Sequence, residues 1–551
     1  MQTRTLIFLL LSLAILIVYE PFLRMMGLEV PGPRPATEAT TEAPAPAAVP
    51  APAPVQAPAA APAAAPQAMA TAPAAPAAVP AAQALPERQV VVETDRFRAV
   101  FSTRGGTVTG WTLKDYLDDD KATPVALYEP PAQGAAHPPL ALTVDGMADF
   151  DRAIYAVDKS GLTLSGDEQG SLTFTRVDPA TGATVVKTLT FTGDDYAVDL
   201  DVDTRGIASD YAVSLGSNFG IRRWGTVTIG FVGTANLVDG DVEREDPDDM
   251  AQPLSRSGDV SWTVIEDKYF VSALMPKTPV KSVVSQALGK EHLITALTVA
   301  AGQPSSYTLY VGPKEYERLK ELGHNMQENI DFGWFMFGTW AFVRLLAEPM
   351  FLMLKTIDGW VGNYGISIIL LTLLIKTVFM PLTHKSYKSM KAMAAIQPQV
   401  KAIQKKYKDN KEKLSKETMA LYKEHQINPL GGCLPIFLQI PFFIAFFNIL
   451  YTAIELRHTP FMGWIFDLSA KDPYYILPVI MGVSMFVQQK IQPSTLDPKQ
   501  ARIMMFLPII FTFFFMNFPA GLVLYWLFNN LFTITQQAIT IRFLEKRPKA
   551  A

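Results

Sequence analysis

Five long apolar stretches between residues 361 and 545 constrain the fold of this chain more than any other feature. A helix needs about 20 apolar residues to cross a hydrocarbon layer about 30 Å thick, and it must satisfy its backbone hydrogen bonds internally. These stretches therefore predict a core of five transmembrane helices over residues 361–545. The predicted spans are residues 361–381, 433–452, 474–490, 504–518 and 520–538, of which the last two form a tight helical hairpin.

The N-terminal region combines an apolar run with a segment of almost only Ala and Pro. The run over residues 6–18 follows Arg4, and no small-x-small cleavage site comes after it. We therefore interpret residues 1–24 as an uncleaved signal anchor, with a cleaved signal peptide as the alternative. Residues 31–86 lack side chains that build a core, and Pro favours extended backbone. This segment predicts a semi-rigid spacer or, equally, a plain disordered linker.

Residues 88–325 alternate apolar and polar side chains in short runs, for example over 107–111, 187–191 and 196–200. Gly-containing turns separate these runs, and the combination is typical of an antiparallel β-sandwich. The chain has a single cysteine, Cys433, so no intramolecular disulfide can form. The domain must therefore be stabilised by its own core. The predicted fold class is a multi-domain membrane protein with an all-β domain, a helical core and an N-terminal anchor.

An aromatic-rich segment connects the predicted β domain to the first span. It includes Trp334 and is flanked by Arg344 and Glu348. Aromatic side chains combined with charges are typical of helices that lie in the membrane interface. Residues 331–348 are therefore predicted to form an interfacial amphipathic helix.

The charges near the predicted spans indicate their orientation, because Lys and Arg are retained in cytoplasmic loops. Residues 384–425 contain eleven lysines against four acidic residues, whereas residues 453–473 contain two basic and three acidic residues. The lysine-rich loop, residues 490–502 and the C-terminus are therefore predicted to be cytoplasmic. With the N-terminus also inside, the β domain is exported, which predicts a multi-pass protein of the inner membrane with a periplasmic domain.

The lysine-rich loop is predicted to fold as a basic helical hairpin over residues 384–425. Apolar residues recur every three or four positions in its first half, and residues 411–422 supply a second helix. The positive charge either retains the loop in the cytoplasm or contacts anionic headgroups, ribosomal RNA or a nascent chain. The lysines proposed for such contact are Lys385, Lys388, Lys401, Lys405 and Lys406.

Lys376 lies inside the first predicted span, where a charge costs about 2.5–3.5 kcal/mol on insertion scales. One interpretation is that the side chain snorkels to the cytoplasmic end of the span near Pro381. The other is that it serves a function, which Thr372 favours because it lies one helical turn earlier on the same face. Further polar residues occupy similar depths: Gln439, Asn529, Asn530, Gln536 and Gln537. Each is either a helix-packing hydrogen bonder or part of one polar cavity with Lys376.

The sequence contains no recognisable catalytic or cofactor motif. It has no glycine-rich phosphate loop, no Gly-x-Ser-x-Gly and no His-Glu-x-x-His, and its six His residues are scattered. We therefore predict no metal, no cofactor and no enzymatic activity.

Three segments, residues 428–435, 472–478 and 518–526, closely resemble motifs of the YidC/Oxa/Alb family of membrane-protein insertases. The resemblance implies a periplasmic β-supersandwich similar to galactose mutarotase-like folds, and five helices around a hydrophilic groove. It also implies that Lys376 is the single positive residue of that groove, where the family usually has Arg. Thr372, Gln439 and Trp526 match further groove positions, and we include the neighbouring Tyr525 among the groove contacts.

The same resemblance implies insertion and folding of nascent membrane proteins as the function. The implied partners are the Sec translocon, the ribosome with the signal-recognition pathway, and anionic lipid headgroups, with no DNA among them. Two alternatives are a solute transporter with Lys376 as an anion site and a periplasmic sugar enzyme on an anchor. The transporter predicts inverted repeats, which we do not find in the sequence. The enzyme leaves the five apolar spans unexplained.

Overall fold

The computed structural model describes residues 86–130, 137–144, 150–222, 231–245, 247, 250, 252–289, 291–333, 340–408, 410–427, 434–492 and 505–545. The predicted anchor at residues 1–24 lies outside the described residues, as does the predicted linker apart from Pro86.

Within these ranges the N-terminal part is a β domain of nineteen strands. The strands are β1 (Gln89–Glu93), β2 (Phe97–Ser102), β3 (Thr107–Leu117), β4 (Pro124–Tyr128), β5 (Leu142–Val144), β6 (Ala156–Val157), β7 (Gly161–Thr163), β8 (Gln169–Val177), β9 (Thr184–Thr192), β10 (Ala197–Arg205), β11 (Tyr211–Ser214), β12 (Gly233–Val238), β13 (Asp241–Glu245), β14 (Leu254–Arg256), β15 (Val260–Glu266), β16 (Phe270–Pro276), β17 (Ser282–Ala287), β18 (Leu293–Val299) and β19 (Ser305–Pro313).

These strands form three sheets. One has the order β4-β3-β2-β1-β7, the largest has the order β13-β12-β15-β16-β19-β10-β9-β8-β6, and the third has the order β14-β17-β18-β11-β5. Side chains alternate between buried and half-buried along β9, as the period of two predicts. The predicted all-β sandwich is confirmed. The pairing departs from the expected antiparallel pattern between β1 and β7, which are parallel.

Aromatic rings fill the core between the first sheet and the largest sheet. Phe97 and Trp111 stack with their ring centroids 4.4 Å apart, and Phe101 and Phe191 meet edge to face at 6.0 Å. Each of these side chains is fully buried. Rings of this size contribute large apolar areas, which agrees with a domain that is stable without disulfides.

The C-terminal part is helical. The described α-helices are α1 (Tyr316–Glu321), α2 (Ala341–Val361), α3 (Tyr364–Ala395), α4 (Gln397–Lys406), α5 (Lys411–Glu424), α6 (Leu434–Thr452), α7 (Ile476–Ile491), α8 (Leu507–Phe515) and α9 (Ala520–Glu545). By length and composition, α3 is the one described helix that is both long and apolar enough to cross a membrane, and residues Gln439–Thr452 and Ile476–Ile491 are shorter apolar helical segments. The number of spans stays a prediction.

The amphipathic helix expected over residues 331–348 has different bounds. Residues 331–333 are not helical, residues 334–339 lie outside the described part, and α2 runs from Ala341 to the left-handed Gly362. Its inner face is buried, whereas Leu345 and Trp360 are 73% and 83% exposed. Exposed apolar side chains on the outer face agree with a position at a membrane interface.

The helix that contains the first predicted span extends beyond the C-terminal end of that span. Helix α3 has 32 residues, or about 48 Å at 1.5 Å per residue, and it continues through Pro381 to Ala395. The cytoplasmic end of the span near Pro381 stays a prediction, and Lys385 and Lys388 lie on α3 rather than on the hairpin helices. The hairpin itself consists of α4 and α5, which pack through a small core of Ile396, Val400 and Leu421.

The last two predicted spans also differ from their expected bounds. Helix α8 has only 9 residues, or about 14 Å, whereas α9 extends over 26 residues. Gly482 on α7 allows close packing with α8, because a Cβ at this position would overlap the hydroxyl of Thr512. Small residues permit such close helix approach in membranes.

Residues 453–475, between α6 and α7, hold one end of the helical core together. Asn363 caps α3 by accepting a hydrogen bond from the Ile366 amide, and its side chain also donates to the Phe461 carbonyl oxygen at 2.9 Å. The buried Asp472 accepts from the Leu477 amide at the start of α7. We call residues 453–475 the linking loop.

Candidate functional site

Helices α3, α6, α7 and α9 surround a cavity of about 410 Å³. Its lining is mixed, with amide, hydroxyl and ammonium groups beside aromatic and Met side chains. We call this cavity the polar groove. It is lined by Lys376, Thr383, Ser386, Tyr387, Met390, Gln439, Ile440, Phe443, Met485, Gln488, Gln492, Tyr525, Trp526, Asn529, Asn530, Thr533 and Gln537.

Lys376 is the cation of the groove. Its side chain is only 8% exposed, and its ammonium donates a hydrogen bond to Thr533 Oγ1 at 2.9 Å. The Thr533 hydroxyl donates in turn to the Asn529 carbonyl oxygen at 2.7 Å. Among the described residues, no carboxylate forms an ion pair with Lys376. Its charge therefore remains available to an acidic group that enters the groove.

Lys376 lies well inside helix α3. It lies twelve residues after the first residue of α3, or about 18 Å along the axis. The helix then continues past Pro381 to Ala395. Gln536 donates to the Lys376 carbonyl oxygen at 2.9 Å and ties α3 to α9 at this depth.

One face of α9 supplies much of the polar lining. Trp526, Asn529, Thr533 and Gln537 recur at spacings of three or four residues, which places them on one side of the helix. Asn529 accepts from Gln439 on α6 at 2.9 Å. Asn530 donates to Ser484 on α7 at 3.0 Å. These bonds between helices keep polar side chains paired in a place where water is scarce.

Aromatic side chains close the end of the groove nearest the start of α9. The Tyr525 ring lies edge to face against Phe446 with centroids 4.6 Å apart. Trp526 contacts Phe443 and Phe515, each with ring centroids 4.9 Å apart. This packing separates the polar groove from the linking loop.

The structure brings together four of the five predicted groove residues: Lys376, Gln439, Tyr525 and Trp526 all line the cavity. Thr372 does not line it. Its buried hydroxyl donates to the Ile368 carbonyl oxygen of its own helix at 2.6 Å. A hydroxyl can satisfy itself in this way on the preceding turn, so the spacing of four residues from Lys376 did not establish a groove contact.

The five predicted contact lysines divide between two helices and are all exposed. Lys385 and Lys388 lie on the part of α3 beyond Pro381, and the others lie on α4. The exposed surface of α4 is therefore basic, as the sequence predicted.

Thr533 is the main groove residue that the sequence analysis missed. It follows Asn529 by four residues, so the helical spacing that predicts shared faces could have identified it. Ser386 fell within the predicted hairpin over residues 384–425, whereas the structure places it on α3. The sequence analysis did not single out Gln488 and Gln492, which also line the groove.

Comparisons with known proteins agree with this architecture. The model of the YidC periplasmic domain matches residues 89–353, and the model of the 60Kd inner membrane protein matches residues 356–547. The membrane protein insertase YidC of Syntrophus aciditrophicus (strain SB) is 40% identical over 487 residues, which cover 83% of this chain and 86% of the relative. The chain belongs to the YidC family of membrane protein insertases.

A second YidC insertase, from Geotalea uraniireducens (strain Rf4), is 40% identical over 465 residues and covers 82% of this chain and 86% of its own length. A solved structure described as an active YidC insertase with the first transmembrane domain resolved aligns with a TM-score of 0.34 at 18% identity, over 82% of this chain and 92% of that chain. Family membership confirms the resemblance, and makes this an inner-membrane protein with a periplasmic β domain. The mutarotase-like fold stays a prediction.

Two of the three YidC motifs have visible structural roles around the linking loop. In the motif over residues 472–478, Asp472 accepts from the Trp464 indole at 3.1 Å as well as from the start of α7. In the motif over residues 518–526, the Ala520 amide donates to the Ala470 carbonyl oxygen at 2.7 Å. In the third motif, residues 428–433 lie outside the described residues.

Proposed function

We propose that this protein inserts nascent membrane proteins into the inner membrane, and that Lys376 holds the hydrophilic flank of a client in the polar groove. The observation that carries the proposal is a buried ammonium without an ion-pair partner in the described part of the chain. Within the described ranges this ammonium donates one hydrogen bond, to the neutral hydroxyl of Thr533. An entering carboxylate would therefore gain a charge-assisted hydrogen bond without displacing another anion.

The groove reduces the cost of moving a polar flank through the membrane. A polar group in hydrocarbon without hydrogen bonds costs several kcal/mol, whereas the groove offers amides and hydroxyls at the depth of Lys376. Over part of its path, a client flank therefore replaces hydrogen bonds to water with hydrogen bonds to the protein. Lys, unlike Arg, offers a point charge and not a planar fork, so we expect this groove to accept acidic flanks without strict geometry.

The apolar segment of the client would leave toward lipid beside α3. Leu373, Leu374 and Val378 are 42%, 42% and 68% exposed on its outer surface. Each methylene group transferred from water to an apolar environment contributes about 0.8 kcal/mol. This transfer supplies a driving force without nucleotide hydrolysis, and we propose no enzymatic activity and no cofactor.

The basic surface of the hairpin is the proposed first contact at the cytoplasmic side. Lys401, Lys405 and Lys406 lie exposed on α4, where they suit anionic headgroups, ribosomal RNA or an acidic client flank. The ribosome with the signal-recognition pathway and the Sec translocon remain proposed partners. The proposal includes cytoplasmic N- and C-termini, which follow from the charge distribution.

An insertion assay with a small client that carries an acidic periplasmic flank tests the proposal. Lys376→Arg should retain insertion because it keeps the charge, whereas Lys376→Leu should reduce it about tenfold, the loss of one charged hydrogen bond. Thr377→Leu is the matched control, because this neighbouring side chain is exposed on α3. Normal insertion of every client by Lys376→Leu would contradict the role of the charge.

A further inference from the structure

A second cavity, of about 740 Å³, lies between the β domain and the linking loop. The β domain contributes basic and aromatic residues that include Lys268 and Tyr269, and the helical part contributes Tyr451, Arg457 and Lys471. We call it the junction cavity. It is separate from the polar groove and shares no lining residue with it.

Lys268 is the central cation of the junction cavity. Its ammonium lies 3.7 Å from the centroid of the Tyr451 ring and 4.6 Å from that of Tyr269. Among the described residues it forms no hydrogen bond and no ion pair. Burial lowers the pKa of Lys268 to about 7, because a charged group loses hydration there. The two aromatic faces and the negative charges of Asp267 and Asp467 compensate the buried ammonium only partly.

Two further cations at the junction cavity are also incompletely paired. Arg457 is 8% exposed, and its Nη2 lies 3.6 Å from Asp119 Oδ1 but makes no hydrogen bond. Lys471 is exposed, lies 6.0 Å from the Tyr475 ring centroid, and has no ion pair within the described ranges. Three cationic groups therefore face one cavity with unused hydrogen-bonding capacity.

Two of the three acidic side chains that line the cavity, Asp267 and Asp467, accept hydrogen bonds from nearby backbone amides. The Asp267 carboxylate accepts from the backbone amides of Arg222, Tyr269 and Phe270 at 2.8–2.9 Å. Asp467 Oδ1 accepts from the His458 amide and from the amide and hydroxyl of Ser469. The third, Asp119, pairs with Arg222 and Arg457. Three aspartates therefore face five Lys and Arg side chains in the lining, which leaves a positive excess: Lys121, Arg222, Lys268, Arg457 and Lys471.

The surroundings of the cavity include an apolar path toward the membrane. Pro473 lines the cavity, and α7 begins three residues later. Ile476, Val479 and Val483 on α7 are 40%, 47% and 59% exposed and lie at spacings of three and four. Tyr and Trp side chains at the cavity are typical of the membrane–water interface.

We propose that the junction cavity binds the phosphate headgroup of an anionic phospholipid from the periplasmic leaflet, with its acyl chains along the exposed face of α7. Lys268 and Arg457 contact the phosphate, and Lys471 contacts the headgroup at the mouth. The apolar path favours a lipid as the ligand, because free phosphate and a soluble acidic peptide have no acyl chains to place along it. The inference rests on the proposed topology and is independent of the insertase role.

Native mass spectrometry of the full-length protein in detergent tests the site. The protein is titrated with dihexanoylphosphatidylglycerol, and bound lipids are counted for the parent and for Lys268→Gln/Lys471→Gln. The parent should bind one lipid about tenfold more tightly than the double variant, the effect of one charged hydrogen bond. Lys277→Gln is the control, because Lys277 pairs with Asp199 on the β domain and does not line the cavity.

Two further variants keep the test valid if the double variant fails to fold. Lys268→Arg should retain the lipid, and Lys471→Gln, which changes an exposed side chain, should weaken it about threefold. Equal lipid binding by the parent and by the neutral variants would overturn the site.

Competition distinguishes the ligand sources. Dihexanoylphosphatidylcholine, inorganic phosphate and a soluble acidic peptide should each fail to displace phosphatidylglycerol at equal concentration. Displacement by any of them would overturn the assignment to an anionic lipid. The Lys376→Leu protein should still bind this lipid, and the Lys268→Gln/Lys471→Gln protein should still insert clients. The lipid site and the role of Lys376 in insertion can therefore fail independently of each other.

Discussion

Lys376 on α3 donates a hydrogen bond to the hydroxyl of Thr533 on α9 at 2.9 Å, across the polar groove. The bond orients an ammonium that has no ion-pair partner in the described part of the structure. Lys376 therefore has a fixed position and an unneutralised charge, which are the two properties that a client-binding cation needs.

The variant Thr533→Val tests whether the fixed position of Lys376 matters for insertion separately from its charge. Valine has nearly the same shape but cannot accept the hydrogen bond, so the free energy of unfolding should fall by about 1 kcal/mol. Client insertion should stay within about threefold of the parent, because the charge remains. Thermal unfolding in detergent and the insertion assay measure the two effects. Loss of insertion as large as that of Lys376→Leu would show that position matters as much as charge.

Gly482→Ala tests the close contact between α7 and α8. The added Cβ would overlap the Thr512 hydroxyl, and overpacking of this kind costs about 1–3 kcal/mol. We expect a lower thermal midpoint for the variant. The second-site change Thr512→Ala removes the overlapping hydroxyl and should restore part of the loss. A Gly482→Ala protein as stable as the parent would contradict the observed helix contact.

Because of Lys187, we expect the stability of the β domain to depend on pH. It is fully buried, donates to the Gly105 and Leu140 carbonyl oxygens, and burial lowers its pKa to about 7. Between pH 7 and the ordinary pKa of 10.5 the unfolded state binds more protons than the folded state. Stability should therefore rise with pH in this window.

Lys187→Met isolates this effect from other titrating groups, including Lys268. Thermal midpoints of the β domain, followed by circular dichroism from pH 6.5 to 9.5, should rise less steeply with pH for the variant than for the parent. Parallel curves for the two proteins would contradict the assignment of the slope to Lys187.

The two fold classes could be predicted from local patterns. The alternation along β9 and the apolar stretches of the C-terminal part reflect the periods of strands and helices, which depend on neighbouring residues. The ends of the helices were harder to predict from the sequence. Proline usually ends a helix, yet α3 continues through Pro381 to Ala395, so this local signal misplaced the helix end.

The site was predictable only in part. A lysine in an apolar span is costly, so Lys376 is conspicuous in the sequence. Its partner Thr533 is 157 residues away, and no local pattern indicates that pairing. The junction cavity depends on contacts between strands and the linking loop. Lys268 was therefore inconspicuous in the sequence, because its position between the Tyr269 and Tyr451 rings is a tertiary property.

Site-specific cross-linking of a stalled client tests the central claim most directly. Cys433 is replaced by Ser, and single cysteines are introduced for Gln439, which lines the groove, and for Val378, which is 68% exposed on α3. A client with one cysteine in its acidic flank should form a disulfide with the groove position and not with the Val378 position, and Lys376→Leu should reduce the yield about tenfold. Equal cross-linking at the two positions, or a yield unchanged by Lys376→Leu, would contradict the account.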